Sequence, residues 1–137
     1  MDIVLRDNER IDDLQYKGLR IIQKKDGFCF GIDSVLIANF ADAKKCDIII
    51  DLGTGTGIIP LLLAGRTEAY MITGLEIQAE MCEMAKRSVL LNNLQDKINI
   101  VCGDIKNAPA IFGQQKFNVV VANPPYMNVG GGLVSPS

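Results

Sequence analysis

The chain has 137 residues, a length that fits one domain, and its 48% hydrophobic and 22% charged residues suit a packed globular core and exclude a disordered chain. No apolar run approaches the roughly 18 residues that cross a bilayer, and a net charge of −2 lacks the basic excess of a strong nucleic-acid binder, so any RNA-docking surface must be local or lie outside these residues. The sequence has no histidine, which excludes Ser-His and Cys-His nucleophilic chemistry; with no CxxC pair among Cys29, Cys46, Cys82 and Cys102, it also argues against a zinc or other metal site.

The start of the chain carries Asp2, Asp7 and Glu9 and lacks the basic-then-apolar layout of a signal peptide, so a cytoplasmic, membrane-free protein is expected. Leu19 to Gln23 and Gly27 to Phe30 read as two short strands joined by a polar turn at Lys24, Lys25 and Asp26. Asp33 and Ser34 then precede an apolar stretch that reads as a capped helix running to about Ala43. Residues 1–45 are therefore expected to form a hairpin and helix in front of a core spanning 46–137, the whole acting as effectively one domain.

The core opens on Asp47 to Leu52, a continuous apolar run that suits a strand buried on both faces. It meets the glycines Gly53, Gly55 and Gly57, and a helix over Ile58 to Ala64 follows; Pro60 is tolerated in its first turn. Tyr70 to Leu75 reads as a second buried strand. Gln78 to Asn92 reads as a helix with Cys82, Ala85 and Val89 on one face. Ile98 to Val101 and Phe117 to Ala122 complete four strands. Strands alternating with helices predict a mostly parallel sheet with right-handed crossovers and helices on both faces. The cysteines are expected to be small buried hydrophobes. A doubly wound sheet usually continues past the fourth strand, whose edge would bear Val119, Val120 and Val121. C-terminal strands are therefore expected to be missing, or a partner such as a second copy to cover that edge.

Four motifs fall at the carboxyl ends of the predicted strands, where such sheets bind ligands. The run from Asp51 through Gly53, Thr54, Gly55 and Gly57 combines a close-approach backbone with the free N–H groups of a helix start, which suits an anionic group. Its GxGxG spacing differs from the GxGxxG of a dinucleotide site. Glu76 ends the second strand 19 residues after Gly57, where a carboxylate can accept hydrogen bonds from two ribose hydroxyls. Asp104, after Gly103, can accept from an adenine amino group or cap the next turn. Asn123, Pro124, Pro125 and Tyr126 form a loop stiffened by two prolines. There an amide and a carbonyl can accept from an –NH2 group and an aromatic ring can stack on a planar base.

With these residues in this order and spacing, the chain resembles class I S-adenosylmethionine-dependent methyltransferases of the NPPY type over roughly Asp47 to Tyr126, and so implies a Rossmann-like α/β fold. Gly27 to Leu36 resembles the segment before the glycine motif in bacterial tRNA adenine-N6 methyltransferases, which act on a valine tRNA. The resemblance implies S-adenosylmethionine as cofactor, held by Asp51, Gly53, Thr54, Gly55, Gly57, Glu76, Ile77, Asp104, Ile105 and Asn123, with Phe30, Asp33 and Ser34 closing over it. It assigns catalysis to Asn123, Pro124, Pro125 and Tyr126, and tRNA as the substrate. Methylation of a glutamine amide in release factors, or of an rRNA or DNA amino group, shares the same loop chemistry and stays open, as does a cofactor-binding chain without catalysis.

Overall fold

The computed structural model describes residues 3–26, 32–122, 128–129 and 132–133. An antiparallel hairpin comes first, β1 (Glu9–Asp13) with β2 (Arg20–Lys24), in a register that sets Ile11 opposite Ile22. β2 thus pairs with the segment before it; Gly27 to Phe30, expected as a second strand, lies outside the described residues. The connecting turn uses left-handed backbone at Gln15, Lys17 and Gly18 and closes with the Leu14 amide donating to the Leu19 carbonyl at 2.9 Å.

Helix α1 (Ile32–Phe40) places Asp33 inside its first turn instead of before it. It stops at Phe40, short of the expected Ala43, and the Arg66 guanidinium donates to the Ala38 and Ala41 carbonyls (3.2 and 3.1 Å), meeting acceptors that have no partner within a helix end. The core sheet is parallel, in the order β5-β4-β3-β6, made of β3 (Ile48–Leu52), β4 (Met71–Glu76), β5 (Ile98–Cys102) and β6 (Val119–Ala122).

Helix α2 (Ile58–Arg66) links β3 to β4, and α3 (Ala79–Leu91) links β4 to β5. A 3-10 turn (Ile105–Asn107) and the short α4 (Ala108–Phe112) lead back across the sheet to β6. A two-residue antiparallel pair, β7 (Asn128–Val129) with β8 (Gly132–Leu133), follows.

The core sits mainly under α2 and α3. Ile49, Ile72, Ile98 and Ile100 from the sheet pack with Ile59, Leu61, Leu63, Cys82, Ala85 and Val89 from the helices. Each large aliphatic side chain buried there contributes roughly 1.5–3 kcal/mol. The hairpin docks on α3 through polar groups. The Asn92 side chain accepts from the Arg20 amide and donates to the Arg20 carbonyl, and the Ser88 hydroxyl, one helical turn earlier, accepts from the Ile22 amide at 2.9 Å. These bonds give the outer edge of β2 the partners a neighbouring strand would supply.

The cysteines depart from the expected role. Cys82 is fully buried, but it is disulfide-bonded to Cys102, with Cα atoms 5.8 Å apart. Cys46 is a free, exposed thiol, and Cys29 lies outside the described residues. Among the described residues no helix is long and apolar enough to cross a membrane.

Candidate functional site

Parallel pairing brings the carboxyl ends of the strands to one edge of the sheet. Leu52 pairs with Leu75 on one side and Ala122 on the other, and Glu76 pairs with Cys102. The segments that follow therefore start side by side: the glycine loop from Gly53, the turn after Glu76, and Gly103 with Asp104. The chain leaves β6 at Ala122 on this edge, and Asn123, Pro124, Pro125 and Tyr126 lie outside the described residues, as does Phe30.

In the glycine loop Gly53, Gly55 and Gly57 all have positive φ, 76°, 60° and 95°, a region that side chains with a Cβ rarely enter. The amides of Gly53 and Thr54 both donate to the Leu75 carbonyl, at 2.8 and 2.9 Å, folding the loop over the end of β4. Gly57 precedes α2 and lies close to α3: a Cβ built on it would meet the Ala85 Cβ at 3.3 Å.

Glu76 is buried, and its two carboxylate oxygens join two segments of the edge. Oε1 accepts from the Gly55 amide at 2.7 Å and Oε2 from the Gln78 amide at 2.9 Å. Each oxygen keeps a further lone pair for another donor. Asp51 is fully buried at the end of β3, and neither of its carboxylate oxygens has a hydrogen-bond partner; the buried Thr54 hydroxyl has none either. Burial, chiefly, pushes the Asp51 carboxyl up to about 7, and the Glu76 charge adds to the rise.

On the far side of the edge Asp104 caps the 3-10 turn, its Oδ1 accepting from the Lys106 amide at 3.0 Å. Capping leaves Oδ2 available, so both roles foreseen for this aspartate are compatible. Ile77 and Ile105 are 62% and 52% exposed, unusual for isoleucines and in keeping with a place where a flat apolar group rests. Asp33 is half-buried and Ser34 buried, both in the first turn of α1.

The sequence did not point to Gly74. A Cβ there would sit 2.8 Å from the Thr54 hydroxyl and 3.0 Å from Ile100 Cδ1, so this glycine is what lets the loop lie on β4. A lone glycine inside a predicted strand is the signal that would have found it. A cavity of about 390 Å3 lined by Leu14, Tyr16, Val35, Asn39, Leu62 and Arg66 lies between the hairpin turn, α1 and α2 and shares no residue with this edge.

A parallel sheet with a glycine-rich loop and an acidic residue ending the next strand defines a Rossmann-like methyltransferase fold. Over residues 30–132 the chain matches the methyltransferase small domain family, and it belongs to that family. A tRNA1(Val) (adenine(37)-N6)-methyltransferase from a Flavobacteriaceae bacterium (strain 3519-10) is 31% identical over 82% of this chain and 47% of its own length. The enzyme of the same name from Haemophilus influenzae (strain 86-028NP) is 32% identical over 84% of this chain and 50% of its own. The chain thus spans about half the length of the curated relatives it matches. Among solved structures, Methanocaldococcus jannaschii Trm5 in complex with adenosine shares the fold, with a TM-score of 0.66 at 20% identity over 86% of this chain and 35% of that one.

Proposed function

We propose that this chain is the cofactor-binding part of a cytoplasmic, S-adenosylmethionine-dependent methyltransferase that methylates the N6 amino group of an adenine in tRNA. The observation that carries the reading is the Glu76 carboxylate, which ties the glycine loop to the turn after β4 and keeps lone pairs for a diol. The relatives named tRNA1(Val) (adenine(37)-N6)-methyltransferase support the substrate.

The residues present fit such a cofactor. The buried Asp51 carboxylate and Thr54 hydroxyl lack protein partners, which suits a donor-rich amino-acid moiety beside Gly53, Gly55 and Gly57. Glu76 would accept from the ribose hydroxyls, Asp104 from the adenine amino group, and Ile77 and Ile105 would flank the ring. Asp33 and Ser34, with Phe30, would close the site from α1. When bound, S-adenosylmethionine supplies an electrophilic methyl group. The Asn123 side chain and the Pro124 carbonyl would accept the two N–H bonds of the substrate amino group, orienting its lone pair, while Pro125 stiffens the loop and Tyr126 stacks on the base. An adenine in a tRNA loop is already partly unstacked, so presenting it costs little.

The outer side of β6 has no strand neighbour among the described residues, and Val120 is 60% exposed. This supports further polypeptide, from a longer chain or a second copy, covering that edge. The test is transfer of labelled methyl from S-adenosylmethionine to a valine tRNA and, in parallel, to a release factor. Label recovered as N6-methyladenosine, and lost with Asn123→Ala, is the expected result. Label on glutamine instead would move the substrate to protein.

A further inference from the structure

The Cys82–Cys102 disulfide joins the two elements that carry opposite halves of the candidate cofactor site. Cys102 is the last residue of β5, immediately before Gly103 and Asp104, and it is the register partner of Glu76. Cys82 lies in the first turns of α3, where its amide donates to the Gln78 carbonyl at 2.9 Å, and the Gln78 amide donates to Glu76 Oε2. The Gly103 amide donates to the Glu76 carbonyl at 2.9 Å. One covalent bond thus holds the Glu76 turn and the Asp104 turn at a fixed spacing across a loop of 20 residues. Cys82 is fully buried in the core, whereas Cys102 is exposed, so only one end of the bond faces solvent.

We propose that Cys82–Cys102 is a redox modification site at which a dithiol partner reversibly loosens the grip on the cofactor. The inference rests on the cofactor reading above. A tRNA-modifying enzyme works where thiols are kept reduced, and disulfides in that setting are as a rule transient and redox-sensing. A partner thiolate attacks the Sγ of Cys102; the S–S bond breaks and its electron pair leaves on Cys82 Sγ, which takes up a proton. The partner's second thiolate then attacks the mixed disulfide and expels Cys102, which is protonated in turn. The chain gains two electrons and two protons, and the partner dithiol is oxidised to its disulfide. With the bond open, the Glu76 and Asp104 turns are joined only by backbone hydrogen bonds and packing.

The test measures S-adenosylmethionine affinity of the intact protein by calorimetry, air-oxidised and then reduced with dithiothreitol, alongside amide hydrogen exchange. A Cys82→Ser/Cys102→Ser variant without reductant serves as a second reduced form. The expected result is a linked Cys82–Cys102 peptide pair in a non-reducing digest, affinity weakened on the order of tenfold on reduction, faster exchange over 77–81 and 103–107 with a cooperative melt retained, and recovery on reoxidation. Equal affinity and equal exchange in both states, with binding intact, would overturn the redox site alone. No binding in either state would overturn the cofactor reading and the redox site with it. Should the serine variant fail to fold, the exchange and affinity of the reduced wild type decide.

Discussion

Asp51 and Gly74 show how single residues fix the glycine loop. Asp51 is buried without a partner and its carboxyl is raised to about 7. A group raised from its usual value contributes stability that is fully present below about pH 4 and is lost as pH rises through about 7. Asp51→Asn is therefore expected to raise the melting temperature of the ligand-free protein at pH 8, with the gain vanishing toward pH 4, while weakening S-adenosylmethionine binding. Melting curves at the two pH values, paired with a titration, check both halves. Gly74 acts through space alone. In Gly74→Ala the new methyl would crowd Thr54 and Ile100, and overpacking of this kind costs about 1–3 kcal/mol. Combining it with Thr54→Ala is expected to recover part of that loss, a non-additivity that urea unfolding of both variants reads directly.

At the scale of elements, the hairpin and α3 form a unit held by polar and charged groups. Glu9 in β1 has a side chain only 1% exposed and meets Arg87 of α3 in a two-pronged pair, both bonds at 2.7 Å. The Arg87 hydrogen bonds hold the Glu9 carboxyl well below its usual range, at about 2, against the opposing effect of burial. A depressed carboxyl contributes stability that is present above about pH 4.5 and is lost as pH falls through about 2. Glu9→Gln is expected to cost about 2 kcal/mol or more at pH 7, since it leaves a poorly matched guanidinium, and the gap to wild type should narrow as pH falls from about 4.5 toward 2. Urea midpoints across that range provide the check.

This hairpin is also where the sequence was least legible. Its first strand, Glu9 to Asp13, holds one aliphatic residue among five and has no period-two apolar pattern. What makes it a strand is distant: Arg87 on α3, together with pairing to β2. By contrast β3, β4 and β5 were legible because each is an apolar run cut off by a glycine or a helix start, and those cuts form the candidate site. The disulfide left no trace because no spacing rule links residues 20 apart in a chain with scattered cysteines.

At the scale of the molecule, the sheet turns three sequence motifs into neighbours at one edge. The glycine loop, Glu76 and Asp104 meet there as their order suggested, and Ile77 and Ile105 stand exposed beside them. The cavity between the hairpin turn, α1 and α2 lies elsewhere and shares no residue with the candidate site. Among the described residues β6 ends the sheet with no strand on its outer side.

The central claim is that this edge holds S-adenosylmethionine, with Glu76 gripping both the loop and the ligand. Calorimetric titration of the protein and of Glu76→Ala with S-adenosylmethionine, with NAD as a control, tests it most directly. Saturable binding of S-adenosylmethionine alone is expected, with a melting shift equivalent to roughly 2.7 kcal/mol at about 100 times the dissociation constant, and loss of both in the variant. A well-folded protein that binds neither compound, or that binds equally well without the Glu76 carboxylate, would contradict it.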